Sequence, residues 1–385
     1  MKILHLCFDG HGLNRFIPIF DHFYPDRNIW YVTEDKKNAH RMSNIEGDNI
    51  HWLKPWINKD YLQQILELSK HEGIDRIVCH GITGFYLEIL RLLFEEKKYK
   101  VYWLFWGFEM YRALGFSGKM RLIDNASPFN PMSYIVPTKW ACYLWKNILG
   151  HKGYEKSLMD FLEYADYFCF WLYEDFLLLQ KHYPNHLEFR HFQYGARWKD
   201  TGADASMPER YFEKKPRTII VNHQASTTGN HVTVLKKLKS FKGIKDYQIT
   251  APLSYGSRMV RRTVSCWGKW YFRDKFHALV DYVPRDEYFN IVGSVEVAIF
   301  GQIRQEAAGN LVFYLANGTK VFMREESTLF QNYKKQGFII FSFEHDLNSV
   351  EDLVGLTLEQ KQHNARVTAA NTFYYEDFMP SLLDD

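Results

Sequence analysis

Along this chain, short apolar runs and amphipathic stretches follow one another in a regular alternation. Lys2 to Phe8 is such a run. It breaks at Asp9-Gly10-His11-Gly12-Leu13-Asn14-Arg15 and leads into an amphipathic segment with Phe16, Ile19, Phe20 and Phe23 on one face. Short apolar runs read as strands, and apolar positions three and four apart read as helix. On that basis strands are expected from Ile29 to Val32, Asn49 to Leu53, Arg76 to Cys79, Val101 to Trp106 and Ala165 to Phe170. Helices are expected from Tyr61 to His71, Gly84 to Glu96 and Glu174 to His182. Strands alternating with helices at this spacing imply a parallel doubly wound sheet, an α/β architecture.

The rhythm pauses before position 217, where Gly202, Pro208 and Pro216 stand among charges, and then resumes. Arg217 to Val221 reads as a strand, Val232 to Ser240 as a helix and Tyr247 to Ala251 as a strand. A basic, aromatic stretch runs from Arg258 to Lys275, and Pro284 opens a further helix. Val297 to Phe300 and Lys320 to Met323 read as strands flanking a helix with Leu311, Tyr314 and Leu315 inward, stopped by Asn317-Gly318. At 385 residues the chain exceeds what one core ordinarily serves. Two α/β domains are expected, residues 1–200 and 217–350, with a linker at 201–216 and a C-terminal segment at 351–385.

Composition narrows the function classes. A hydrophobic fraction of 46% without low-complexity tracts is that of a globular protein, and a formal charge of +3 demands no nucleic-acid partner. Cys7, Cys79, Cys142, Cys169 and Cys266 form no CxxC pair and are expected to be free thiols. MKILHLCFDGHG turns polar too soon for a signal peptide, and the most apolar window, Tyr164 to Leu179, carries Asp166, Glu174 and Asp175. The expected location is cytoplasmic, at most membrane-associated. Between Tyr111 and Tyr154, Arg112, Lys119, Arg121, Lys139, Lys146 and Lys152 mix with Phe116, Tyr134, Trp140, Tyr143 and Trp145. That mixture fits the interface of an anionic membrane, and it equally fits a solvated helical face.

Ligands of doubly wound sheets bind at the carboxyl ends of the strands. Asp9, His11, His80 and Glu109 fall there and could take a proton from a substrate hydroxyl, or simply cap helices and turns. In the second half, Gly301 to Asn310 joins a strand to a helix start, where free N–H groups and the helix dipole favour an anion. Arg304 adds a fork suited to phosphate oxygens. The loop from Asn222 to His231 offers Ser226 and Thr227 as further donors. Walker, GxGxxG and metal-binding DxD patterns are missing, so neither a metal nor a cofactor is expected.

Val221-Asn222-His223, Asn230-His231, Pro252-Leu253-Ser254-Tyr255-Gly256, Pro284 with Glu287-Tyr288, and Arg304-Gln305 with Gly309-Asn310 resemble one known family. It is the 4-acetamido-4,6-dideoxygalactose (Fuc4NAc) transferase family of enterobacterial common antigen synthesis. Trp106-Gly107 with Glu109 and Tyr111 resembles that family's Trp-Gly-x-Asp-Leu-Tyr element. The resemblance spans roughly residues 1–347. It implies a GT-B glycosyltransferase, two Rossmann-like domains facing across a cleft, with the nucleotide sugar on the C-terminal domain. It further implies a dTDP-sugar donor, an undecaprenyl-diphosphate-linked acceptor glycan and a peripheral place on the inner face of the cytoplasmic membrane. The donor-binding residues so implied are Asn222, Ser226, Thr227, Asn230, Tyr255, Tyr288, Arg304, Gln305, Gly309 and Asn310. Asp9, His11 or Glu109 would be the base, and residues 351–385 would pack back on the first domain. The chain departs from the pattern at His223, Glu306 and Glu109, which leaves donor sugar and acceptor open. A sugar-nucleotide epimerase or hydrolase and an inactive glycan-binding homologue are the rival readings.

Overall fold

The computed structural model describes residues 2–10, 12–34, 41–54, 59–96, 98–125, 127–128, 153–199 and 212–384. They divide into two compact units. In the first, β1 (Lys2–Phe8), α1 (Leu13–Phe23), β2 (Asn28–Thr33), β3 (Ile50–Leu53), α2 (Lys59–Glu72), β4 (Ile74–His80), α3 (Gly84–Glu96), β5 (Lys100–Leu104) and α4 (Phe108–Phe116) follow in order. Then come α5 (Gly153–Leu162), β6 (Tyr167–Phe170), α6 (Tyr173–His182) and β7 (Glu188–His191). The sheet order is β3-β2-β1-β4-β5-β6-β7, and every pairing is parallel. Strands covered on both faces need unbroken apolar runs. Accordingly β2 is buried throughout, and Trp30, Tyr31, Tyr102 and Trp103 are fully enclosed.

One polar chain interrupts that core. Asn28 Nδ2 donates to Asp21 Oδ1 (2.8 Å) and to the Tyr24 carbonyl (3.0 Å), so its Oδ1 accepts from His5 Nε2 at 3.0 Å. His5 Nδ1 must then accept from His80 Nε2 at 3.1 Å, which sets both tautomers. His5 also stacks on Trp30, with ring centroids 3.9 Å apart. Both imidazoles are buried, and burial holds His5 down at about 3 and His80 well below its ordinary value.

The second unit carries β8 (Lys215–Val221), α7 (His231–Lys239), β9 (Gln248–Pro252), α8 (Arg258–Phe272), β10 (Phe276–Leu279), α9 (Arg285–Gly293) and β11 (Val295–Phe300). It continues with α10 (Ala308–Ala316), β12 (Lys320–Met323), α11 (Thr328–Lys335), β13 (Phe341–Ser342) and α12 (Leu358–Ala370). Its sheet, β10-β9-β8-β11-β12-β13, is parallel throughout. In each sheet the strand order reverses once, at β1/β4 and at β8/β11, and such switch points are where doubly wound sheets open a crevice for ligands.

Several boundaries differ from the sequence expectation. Lys215 and Pro216 begin β8 and are not linker. The described residues at 120–125 group with the second unit, because the Asp124 N–H donates to Asn230 Oδ1 at 2.9 Å. The basic stretch from Arg258 is a fifteen-residue helix. The segment 351–385 splits: α12 stays with the second unit, and Phe373–Asp385, bearing α13 (Tyr375–Leu382), belongs to the first. There Tyr375, Phe378, Met379 and Leu382 are buried. Tyr24 donates to the Met379 carbonyl, and Tyr102 to that of Leu383 at 3.2 Å. Cys7, Cys79, Cys169 and Cys266 are free thiols; Cys142 lies outside the described residues.

Candidate active site

In the second unit, the switch point is built around two asparagines. Asn222 follows β8 directly, with a left-handed φ of 57°. Its Nδ2 donates to the Gly229 carbonyl and its Oδ1 accepts from the Gly301 N–H, both at 2.8 Å. Asn230, also left-handed at 50°, donates to the carbonyls of Leu122 (3.1 Å) and Gly301 (3.1 Å). Both amides are thus spent on protein: they lock the 222–230 loop to the end of β11. Gly256, at φ 107°, lets the next loop approach; a Cβ there would stand 2.5 Å from the Ala225 carbonyl oxygen. The Ala225 N–H donates to the Tyr255 carbonyl at 2.8 Å, which leaves the Tyr255 ring 76% exposed at the mouth of the two loops.

The start of α10, where an anion was expected, presents backbone N–H groups ahead of its helical ladder. Leu311 is the first residue to close a helical bond, onto the Ala307 carbonyl at 2.8 Å, so the N–H groups of Ala308, Gly309 and Asn310 precede the ladder. Gly309 is exposed, and Gln305 and Asn310 are half-buried. Arg304 does not stand alone beside them: its Nε binds Glu306 Oε1. The same buried oxygen accepts from Thr228 Oγ1 at 2.8 Å, and Ser226 Oγ lies 3.5 Å from it. Nε is one of five guanidinium N–H donors. Thr227 lies in the short 3₁₀ turn Thr227–Gly229, and Tyr288 is largely enclosed, its hydroxyl raised above the ordinary value by burial.

Three groups here were not among the expected donor-binding residues. His223 lies beside Glu306 and His231 beside His223, and burial lowers both, His231 to about 3. Arg324 follows β12 directly; its Nη1 donates to both oxygens of Asp124 (3.0 and 3.2 Å) and its Nε to Glu344. A cation immediately after a strand end was the available signal, but its partner lies 200 residues away. Arg324→Ala strands two carboxylates in a largely buried setting. The expected cost is about 3–5 kcal/mol, read as a lower urea midpoint, and a loss under about 1 kcal/mol would refute this role.

In the first unit, Glu109 sits in the first turn of α4 and lines a cavity of about 430 Å³ with Ile82, Thr83, Phe108, Arg112, Tyr154 and Ser157. Its carboxyl is buried, and neither oxygen completes a hydrogen bond of good geometry among the described residues. Burial pushes it up to about 7; backbone groups at 106 and 82 and the Trp103 indole pull more weakly the other way. Gly81 (φ 86°) gives it room, since a Cβ there would meet Glu109 Oε1 at 3.0 Å. Asp9 is differently placed. Its carboxylate accepts from the N–H groups of Met42 (2.7 Å) and Ser43 (3.0 Å) and from Ser43 Oγ (2.7 Å), so it anchors a loop. His11 lies outside the described residues, as do Tyr134, Lys139, Trp140, Tyr143, Trp145, Lys146 and Lys152. Of the described members of that basic stretch, Lys119 is bound to Glu155 (3.0 Å), and Arg112 lies over the Phe108 and Tyr154 rings.

No family model matches the chain. In fold it is similar to a glycosyltransferase from Rickettsia africae ESF-5, 10% identical over 98% of this chain and 99% of that one, with a TM-score of 0.55. It is also similar to the apo form of the lipopolysaccharide outer core galactosyltransferase WaaB (11%, 100% and 95%, TM-score 0.53). A third is an E. coli trehalose-6-phosphate structure bound with UDP-2-fluoro glucose (10%, 100% and 99%, TM-score 0.57). The chain has the α/β two-domain fold of GT-B glycosyltransferases.

Proposed function

We propose that this protein is a GT-B glycosyltransferase that moves a sugar from a nucleotide donor to a lipid-diphosphate-linked glycan in bacterial surface polysaccharide assembly. The favoured donor is dTDP-linked Fuc4NAc or a related amino-deoxy sugar, on the motif resemblance of the second half. The observation that carries the reading is Glu109, a buried carboxyl held near neutrality on the wall of a cavity at the carboxyl ends of β4 and β5. A group with that value can take the proton of an acceptor hydroxyl at physiological pH. On the donor side, the N–H groups of Gly309 and Asn310 and the Arg304 guanidinium would receive the departing diphosphate, with Ser226, Thr227 and Gln305 beside it. Tyr255 and Tyr288 would frame base and ribose, and Asn222 and Asn230 hold the loops in shape. These groups meet the charge of the leaving diphosphate without a metal. No described helix is long and apolar enough to cross a membrane. On the motif resemblance, contact with the lipid-linked acceptor would be peripheral, on the cytoplasmic face.

A thermal-shift panel with dTDP, UDP, GDP and CMP, each with and without magnesium, tests this. A ligand at 100 times its Kd stabilises the native state by about 2.7 kcal/mol. A rise with dTDP that needs no magnesium and shrinks in Arg304→Ala is expected. A rise with UDP or GDP alone would keep the transferase and replace the donor. One observation favours the inactive glycan-binding reading: Glu306 already lies against Arg304 at the anion site. No shift with any nucleotide would decide for it.

A further inference from the structure

The most exposed large aromatic and sulfur side chains of the second unit include two on α8, Trp270 (68%) and Met259 (58%). Val260, Val264, Gly268 and Phe272, spaced by four, are its buried stripe, and a Cβ at Gly268 would stand 2.3 Å from the Phe276 ring. That tight approach fixes the helix's rotation. Its outer face is therefore Arg258, Met259, Arg262, Cys266, Lys269 and Trp270, all exposed. From Arg258 to Phe272 there are four cations and no acidic residue; Asp274 lies beyond the helix end.

Beside this face, Trp267, Trp270 and Tyr271 form a cluster with ring centroids 5.0–5.6 Å apart. Lysines of α7 reach across it. Lys239 Nζ lies 4.8 Å from the Trp270 centroid and 4.3 Å from that of Tyr271, and Lys236 Nζ lies 5.0 Å from that of Trp267. We infer that the α7–α8 face of the second unit is a docking surface for an anionic lipid bilayer. Indole rings and lysine stems suit the boundary of headgroups and acyl chains, while ammonium and guanidinium groups meet lipid phosphates. Single-stranded nucleic acid is the weaker match, because stacking bases need open ring faces and here ammonium groups already lie over the rings.

The inference deepens the proposed reading, in which the acceptor is lipid-linked, but it is tested apart from the donor site. The full-length protein is floated with vesicles of phosphatidylcholine alone or mixed with phosphatidylglycerol, and nucleotide thermal shift is measured on the same samples. Co-flotation with the phosphatidylglycerol vesicles only, released by high salt, is expected. Arg262→Glu with Lys269→Glu should lower partitioning more than tenfold, at about fivefold per cation before counting the reversed charge. Trp270→Ser should lower it severalfold. Lys334→Glu with Lys335→Glu, on α11, should leave it near wild type. Failure of the wild type to float, equal loss in both charge-reversed pairs, or binding of an RNA oligonucleotide without flotation would each overturn the docking surface. An intact nucleotide shift alongside would leave the transferase reading standing.

Discussion

Glu109→Gln is expected to lower transfer activity by about 10²–10⁴-fold while making the protein more stable at alkaline pH. The two effects share one cause. Burial raises the carboxyl from its ordinary 4.5 to about 7, so the folded state holds a proton that the unfolded chain releases. Stability from this group is complete below about 4.5 and is lost as pH rises through 7. At about pH 8 the ionised carboxylate costs about 3 kcal/mol, and at about pH 5 under 1 kcal/mol. Glutamine removes the charge and keeps the shape, so its stabilisation should grow from pH 5 to pH 8 by about 2 kcal/mol in paired urea titrations. Wild-type activity should rise with pH through about 7. A variant that keeps its activity, or whose stability gain does not depend on pH, would remove Glu109 from the reaction.

Acidification should act in the opposite direction through the buried histidines, and more strongly. His5 and His231 are held at about 3 and His191 at about 4 by burial, against an ordinary 6.5, and His80 is lowered well below that value. The unfolded chain gains these protons near 6.5 and the folded chain does not. Stability is therefore complete above 6.5 and falls as pH drops towards 3. At about pH 5 each such imidazole costs about 2 kcal/mol. Glu109, protonating on the way down, returns about 2–3 kcal/mol, so the net loss between about pH 8 and about pH 5 is several kcal/mol. Urea midpoints at the two values measure it. In Glu109→Gln the acid loss should be larger than in wild type, because the offset is gone. An unchanged midpoint would mean that these rings gain protons without unfolding.

Much of the architecture was legible because periodicity is local. Gly84–Glu96 and Lys320–Met323 are found where the apolar pattern places them, to the residue. β7 was missed because Glu188-Phe189-Arg190-His191 is a half-exposed edge strand without an apolar run. The stripe of α8 was hidden by the arginines beside it. The site was less legible than the fold. The backbone at the start of α10 follows from a strand–turn–helix pattern, but no letter says whether an asparagine amide faces a ligand or a carbonyl. The engagement of Arg304 by Glu306 depends on a turn, and the pairing of Arg324 with Asp124 depends on folding across two hundred positions.

The return of Phe373–Asp385 to the first unit has a consequence for biosynthesis. Tyr375, Phe378 and Met379 leave the ribosome after the whole of the second unit, yet they fill the core around Tyr24 and Tyr102. At 5–20 residues per second, the nascent first unit waits roughly 10–40 s for its last helix after residue 199 has been added. During that interval the docking site of α13 is bare, whereas the second unit can close as soon as α12 emerges. The later half of the chain should therefore reach its native state before the earlier half, and the first unit is the one that depends on chaperones during translation.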